Sequence, residues 1–317
     1  MKTQEKEKPQ IKTEQRLYLQ AYLVLVSAAF LFGGNTVAMR IVSQGIPIFT
    51  LSSIRVIMGL SIILPFAWNQ LNQGPKPNRK ELFTFAVLGL CGVLIPYNCL
   101  ALGLKYTTVV NASIIGSTGA ALTITLLAIG WRVFPSKIQI LGVIISTLGL
   151  FVVFTQGSWH NLLALKINPG DFIIFIQITS ISFFSIIGQE IMKKFSPLVT
   201  SVYALLFGVI MMIPFLVWEL YTWEGHFTIQ VWLVLAYMGF IVSGVAFLLN
   251  LRGIQLIGSG KAAIFGNLTP IFGILLGMII LDERLHFYHW IGGILVFAGV
   301  FLSLSKESLS YFRRTPE

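Results

Sequence analysis

The chain repeats itself at a fixed offset of 150 residues. Residues 89–151 align with residues 239–301 without a gap, and five glycines of the first stretch meet glycines of the second. The same offset holds upstream, where Ile46-Pro47 and Ser196-Pro197 precede matching apolar runs. Each copy contains five apolar segments. Because an odd number of membrane spans reverses the chain direction, the second copy is expected upside down, as in many secondary transporters.

The composition is that of a chain that faces lipid. Hydrophobic residues make up 56% of it, charged residues 11%, and the mean hydropathy is +0.82, whereas a soluble domain carries roughly a quarter charged residues. The net charge of +10 is spread over short clusters between apolar runs, which is typical of topology signals at a membrane surface. We therefore expect membrane lipid as a partner and no nucleic acid. Cys91 and Cys99 lie in one apolar run and imply no disulfide.

Ten apolar stretches are long enough to cross a bilayer. They lie near 19–39, 47–68, 82–103, 109–131, 137–156, 171–192, 197–218, 229–251, 260–281 and 287–305. Since a backbone in hydrocarbon must satisfy its own hydrogen bonds, these stretches are expected to be helices. The predicted fold class is an all-α integral membrane protein, with ten transmembrane helices arranged as two inverted five-helix repeats.

These boundaries divide the chain into four parts. Residues 1–18 form an N-terminal tail that is expected to be disordered, 19–156 form the first repeat, 171–305 form the second, and 306–317 form a C-terminal tail. With ten spans and an internal N-terminus, seventeen Lys and Arg residues fall on the cytoplasmic side. Only four fall on the external side, and Arg55 lies inside a span. This bias predicts that both tails are cytoplasmic.

Several motifs resemble the EamA family of the drug/metabolite transporter superfamily. Thr269-Pro270-Ile271-Phe272-Gly273 running into Asp282-Glu283-Arg284-Leu285 is similar to that family's ninth span, and Trp290-Ile291-Gly292-Gly293 to its tenth. Gly33-Gly34-Asn35 and Arg55 resemble features of its first half. The likeness covers about 19–305. The fourth span departs from it, because Thr118-Gly119-Ala120-Ala121 replaces a Pro-containing stretch and Trp131-Arg132 replaces an acidic ending.

The resemblance implies a reaction type. Members of the family mostly export amino acids or other small metabolites across the bacterial inner membrane. We therefore expect a secondary transporter in the bacterial cytoplasmic membrane, which exports an amino acid or a related compound by alternating access. Import of a small organic solute is the alternative. A membrane scaffold or receptor without transport would not need an inverted repeat. The oligomeric state, monomer or dimer, stays open.

Arg55 is the outstanding candidate for a binding residue. A charge inside a span costs several kcal/mol unless it is paired or hydrated, and the matching position in the second repeat is Leu205. In one interpretation Arg55 faces a central cavity and attracts an anionic group, such as a substrate carboxylate. In the other it snorkels or fixes a neighbouring helix through backbone carbonyls.

Uncharged polar residues inside the spans are the other candidates for the cavity. A solute that loses its water needs hydrogen bonds from the pathway, although the same residue types also bond helices to one another. With Arg55, the candidate cavity residues are Asn35, Tyr97, Asn98, Ser117 and Asn267.

Neither catalysis nor metal binding is expected. Gly258-Ser259-Gly260-Lys261 resembles the end of a phosphate-binding loop, but Ala262 replaces the required Ser or Thr. His286 and His289 stand beside Asp282 and Glu283 in a short polar loop, where such a pair is usually solvated. We find no nucleophile motif, so the chain is predicted to be neither an enzyme nor a cofactor-binding protein. Glu190 is expected to form an ion pair with Lys194.

Overall fold

The computed structural model describes residues 7–43, 45–130, 136–158, 168–257, 265–266 and 268–303. All regular elements within these residues are helices. Eight of them are α1 (Glu7–Val42), α2 (Ile48–Gln73), α3 (Arg79–Tyr106), α5 (Lys137–Phe154), α6 (Pro169–Ile191), α7 (Pro197–Thr222), α9 (Leu268–Leu281) and α10 (Phe287–Ser303). Helix α4 has two pieces, Val109–Ser117 and Gly119–Gly130, and α8 runs through Ile229–Ala236, Tyr237–Ala246 and Phe247–Ile257.

The helices have the length and composition of membrane spans. Seven of the described helices can cross a bilayer, or eight if the two pieces of α4 form one span, and α9 and α10 are shorter apolar helices. Large apolar side chains remain exposed on the outside of the bundle, for example Ile279, Phe287 and Phe301. Such a surface is unfavourable in water and favourable in lipid. The protein is therefore an all-helical membrane protein.

The beginning of the chain differs from the expectation. A disordered arm was predicted over 1–18, but residues 7–18 are helical and continue into α1. This stretch is rich in Glu, Lys and Gln, which have high helix propensity. Once the apolar part of α1 is folded in the membrane, adding residues to the existing helix avoids the cost of nucleation.

The packing of the helices is unchanged when the two repeats are exchanged. Helix α1 packs along α8 and α9, and its counterpart α6 packs along α3 and α4. Helices that correspond to each other also meet directly, as α2 with α7, α4 with α9 and α5 with α10. The sequence offset of 150 is thus matched by a duplicated structure.

The contact between α5 and α10 depends on glycine. A Cβ atom at Gly149 would lie 2.7 Å from backbone atoms of both Gly292 and Val296, and one at Gly299 would lie 2.4 Å from the Ser146 nitrogen. Both sites therefore bring backbone against backbone, which only a residue without a side chain permits. The partners follow the same offset, because Ser146 corresponds to Val296.

Three helices depart from regular α-helical geometry. Residues Leu90–Leu94 of α3 and Tyr237–Ala246 of α8 are π-helical, and they occupy corresponding positions in the two repeats. Helix α4 bends by 45° between its pieces, where a continuous span over 109–131 was expected. At the bend, the hydroxyl groups of Ser117 and Thr118 donate to the carbonyls of Ile114 and Ile115. Such bonds compete with helical ones and bend helices.

We expect Gly299→Ala to destabilise the protein. The added methyl group would force α5 and α10 apart, at a cost of about 1–3 kcal/mol. Thermal unfolding of the purified protein in detergent should show a lower melting temperature. Gly293→Ala in the same helix is the matched control, because its Cβ would meet only the end of Ile114 at 3.9 Å. Equal melting temperatures for the two variants would contradict the close contact.

Candidate functional site

Arg55 lies in the contact between the two repeats. Its side chain belongs to α2 and is only 4% exposed. The Nε group donates a hydrogen bond to Ser243 Oγ of α8 at 3.3 Å, and Cζ lies 4.4 Å from the centre of the Tyr97 ring of α3. A guanidinium over an aromatic face is attracted by the ring quadrupole, and most strongly where water is excluded. The charge is therefore held by one hydroxyl group and one ring.

Close packing of α2 on α8 produces this arrangement. A Cβ atom at Gly59, one turn after Arg55, would lie 2.6 Å from the Ser243 Cβ, and one at Gly239 would lie 2.5 Å from the Met58 Cβ. Ser243 is in the π-helical part of α8, where its Oγ donates to the Met238 carbonyl, five residues earlier, at 2.9 Å. The two glycines set the distance between the helices, and the π-helical turn directs the hydroxyl group toward Arg55.

Three buried hydrogen-bonding atoms of the candidate residues have no partner among the described residues. Nη1 of Arg55, Oδ1 of Asn98 and Oδ1 of Asn35 are buried without a partner in that part of the chain. The Asn98 side chain is 9% exposed and the Asn35 side chain 8%. Buried polar groups in folded proteins are nearly always paired, so each of these atoms can still form a hydrogen bond.

Tyr237 connects the site to α1. Its hydroxyl group donates to the Leu31 carbonyl at 3.0 Å, and a Cβ atom at Gly34 would lie 2.5 Å from the hydroxyl oxygen. Tyr237 also lies near enough to Arg55 to interact with it electrostatically. Asn35 follows Gly34 directly, so the first span contributes to the same region of the bundle.

The six candidate cavity residues predicted from the sequence do not all lie at Arg55. The structure brings Tyr97 to Arg55, and Asn98 follows Tyr97 in the same helix. Asn35 follows Gly34, whose backbone lies against the Tyr237 hydroxyl group. Ser117 is buried at the bend of α4, where its hydroxyl group bonds to its own helix. Asn267 lies outside the described residues.

Sequence reasoning assigned no binding role to Ser243 or Tyr237. Ser243 is the same residue type as the serines that bond helices together, and Tyr237 has no matching tyrosine in the first repeat. The nearby Gly239 and Gly244 were the available signal, because glycines inside a span mark a close helix contact.

Acidic residues join the repeats at one end of the bundle. Glu219 at the end of α7 accepts hydrogen bonds from the backbone N–H groups of Phe49 and Thr50, at 3.1 and 2.6 Å. Glu283 accepts from those of Val109 and Val110 at 2.8 and 2.9 Å. These bonds satisfy the N-termini of α2 and α4. We call this end, which also contains Asp171, the acidic end.

Two expectations about charged groups need correction. Glu190 pairs with Lys193 at 2.8 Å, and Lys194 pairs with Glu81 of α3 at 2.6 Å, because the helix ends at Ile191 and the following turn changes the spacing. His289 is not solvated, since its ring is buried against Asn111 of α4. Among the described residues, no three potential ligands are grouped for a metal ion.

Comparisons with known proteins agree with this architecture. The profile of the EamA-like transporter family matches residues 19–155 and 168–305. The chain is similar to the uncharacterized transporter YyaM of Bacillus subtilis, with 31% identity over 70% of this chain and 73% of that protein. It is also similar to the uncharacterized inner membrane transporter YicL of Salmonella typhimurium, with 24% identity over 88% and 93%. One crystal structure shares the fold, with a TM-score of 0.59 and 16% identity, over 89% of this chain and 97% of that one.

We expect the Tyr97 ring, rather than its hydroxyl group, to stabilise buried Arg55. Tyr97→Leu should lower the free energy of unfolding by about 2 kcal/mol or more, because it removes the aromatic face under the guanidinium group. Tyr97→Phe keeps that face and should unfold close to the wild-type temperature. Thermal unfolding in detergent measures both. If Tyr97→Phe were as destabilised as Tyr97→Leu, the ring contact would not be the stabilising interaction.

Proposed function

The chain belongs to the EamA-like transporter family, and from this premise we propose that it exports an amino acid or a related small metabolite by alternating access. It is a membrane transporter and not an enzyme. In this proposal the ten helical segments form two inverted repeats that enclose one solute pathway. The duplicated packing supports this arrangement, because contacts that occur in equivalent pairs can be exchanged between two states of similar energy.

The proposal for the solute rests on Nη1 of Arg55 and on the amide oxygens of Asn35 and Asn98, which have no partner among the described residues. A guanidinium N–H group is a donor for a carboxylate, and the amide oxygens of Asn35 and Asn98 are acceptors for an ammonium group. An amino acid presents both groups on one carbon. Arg55 is in addition a buried charge whose neighbours in the described residues are uncharged, so a carboxylate would relieve its cost of desolvation.

The distribution of basic residues supports an orientation with both termini in the cytoplasm. The acidic end is then external, and the opposite end, with Lys76, Arg79, Lys193 and Lys194, is cytoplasmic. The proposed location is the bacterial cytoplasmic membrane. YicL, a relative, is named an inner membrane transporter.

The orientation can be tested with epitope tags at the two termini. In spheroplasts both tags should resist an added protease, and both should be cleaved after the membrane is permeabilised. A tag placed between Thr222 and Ile229, in the loop after α7, is the control and should be cleaved in intact spheroplasts. Cleavage of only one terminal tag in intact cells would require an odd number of spans and would overturn the inverted repeat.

The role of Arg55 can be tested by transport. In proteoliposomes loaded with unlabelled amino acids, counterflow of each radiolabelled amino acid should identify the solute. Arg55→Ala should reduce its transport at least tenfold, since a charge-assisted pair contributes about 1.5–3 kcal/mol, while Arg55→Lys should retain part of it. Leu205→Ala, at the matching position of the second repeat, is the control. Normal transport by Arg55→Ala would overturn the proposed carboxylate contact, and faster uptake than efflux in cells would favour import.

A further inference from the structure

Asp171 is a buried carboxylate that the proposed solute site does not use. It lies in the first turn of α6 and is completely inaccessible to solvent. Its oxygens accept hydrogen bonds from the hydroxyl group of Thr107 and, at 3.1 and 3.2 Å, from the Nδ2 group of Asn111. The donors on its side chain are thus neutral, and in the described part of the chain no Lys or Arg pairs with it. Such a charge at the edge of a membrane needs a functional reason.

The hydrogen bonds around Asp171 have a defined direction. The backbone N–H group of His286 donates to Nδ1 of His289 at 2.8 Å, so Nδ1 carries a lone pair and the ring hydrogen is on Nε2. Nε2 lies 2.9 Å from Oδ1 of Asn111, to which it therefore donates. This bond turns the NH₂ group of Asn111 toward Asp171. Every hydrogen in the series points to the carboxylate.

This direction distinguishes the two charge states of Asp171. An ionised carboxylate accepts all of these hydrogen bonds with charge assistance. A carboxylic acid can donate its O–H group only to the Thr107 hydroxyl oxygen, which then no longer donates to Asp171, and the bond from Asn111 becomes a neutral one of about half the strength. Rotating the amide of Asn111 would supply an acceptor, but it would then point an N–H group at the N–H group of His289. The series is therefore strongest with the ionised form and is weakened by the neutral form.

The residues of this hydrogen-bonded series also join the two repeats at the acidic end. Thr107 and Asn111 belong to the first repeat, and Asp171 and His289 belong to the second. The series therefore connects α4 with α6 and α10, beside the bond between Glu283 and the N-terminus of α4. Breaking it would remove contacts that hold the two repeats together at this end.

We propose that Asp171 is a proton-binding site, and that a proton bound there opens the acidic end. A proton from the solution at that end forms an O–H bond with one carboxylate oxygen, the hydrogen bonds of Thr107 and Asn111 with Asp171 lose their charge assistance, and α4 separates from α6 and α10. When the proton returns to the solution, the series forms again and the end closes. This inference rests on the proposed alternating access, and it names the ion that would control it.

Other titratable groups lie at the ends of α3 and α10 and in the loop before α10, and the test must separate them from Asp171. They are Lys105 and Tyr106 at the end of α3, Asp282 and Glu283 in the loop before α10, and His286, Tyr288 and His289 at the start of α10. Protonation of Glu283 could produce a similar opening, because Glu283 also joins the repeats. Asp282 is the better control, since it is an exposed acid with a φ of 53° that Asn adopts equally well.

Proton binding can be measured without knowing the solute. The full-length protein in liposomes is titrated with acid, and infrared difference spectroscopy follows the carbonyl stretch of protonated carboxylic acids. We expect a band that titrates in the wild type and in Asp282→Asn and is missing in Asp171→Asn. In Thr107→Val the band should appear about one to two pH units higher, because one donor to the carboxylate is lost.

Opening of the end is measured on the same variants by distances between spin labels. The labels replace exposed Tyr106 and Phe287 after Cys91 and Cys99 have been changed to serine. Acid should lengthen the distance in the wild type, in Asp282→Asn and in Glu283→Gln. Asp171→Asn should show the long distance at neutral pH and no response to acid.

Two results would overturn the proton site. One is a carboxyl band that persists unchanged in Asp171→Asn, and the other is a normal response of the distance to acid in that variant. If Asp171→Asn does not fold, a carboxyl band that titrates at the wild-type pH in Thr107→Val would also overturn the proton site. Neither measurement requires transport, so the proton site can fail while counterflow succeeds. Counterflow can likewise fail for every amino acid while Asp171 still titrates.

Discussion

Carboxylates that accept hydrogen bonds from helix N-termini hold the two repeats together at the acidic end. The first N–H groups of a helix have no partner inside that helix, and at the edge of a membrane water replaces them poorly. Glu219 satisfies them for α2, and Glu283 for α4, in each case from the opposite repeat. The contact between the repeats at this end therefore depends on charge, and its bond between Glu219 and Thr50 is buried.

The two carboxylates of the acidic end have no acidic counterparts in the first repeat. The positions that correspond to Glu219 and Glu283 are Asn69 and Val133, neither of which is charged. At the opposite end, α3 is joined near the surface to the turn between α6 and α7 by the ion pair of Lys194 with Glu81, and exposed pairs contribute little. A cavity of about 390 Å³ lies between α2 and α7 and is lined by Asn69, Gln70, Gln73, Gly74, Pro75, Phe195, Ser196 and Val199. Among the described residues, the acidic end is thus joined by carboxylates at helix N-termini, and the opposite end by a surface ion pair.

The sequence predicted the parts of this structure that depend on periodicity and composition. Apolar length located the helices, and the offset of 150 identified which of them correspond. Arg55 and Tyr97, which the structure places together, were both among the candidates, because a charge or a polar aromatic residue inside a span is rare. The close contacts at Gly149 and Gly299 follow from the same repeat.

The remaining features depend on geometry that a linear pattern does not contain. The π-helical turn at Ser243 and the bend at Thr118 each contain hydroxyl groups that bond to their own helix, but many serines and threonines form such bonds in regular helices. Asp171 was overlooked because it stands near a span end, where an acid is ordinarily hydrated. Only the folded chain shows that Thr107 and Asn111 cover it.

Arg55 and Asp171 are each held by side chains of the opposite repeat. Arg55 belongs to the first repeat and is held by Ser243 of the second, whereas Asp171 belongs to the second and is held by Thr107 and Asn111 of the first. Both are buried charges whose described partners are largely neutral, so each is costly until it is neutralised. A solute carboxylate would neutralise Arg55, and a proton would neutralise Asp171. Because both charges lie in contacts between the repeats, occupation of either site changes the stability of the interface that alternating access must rearrange.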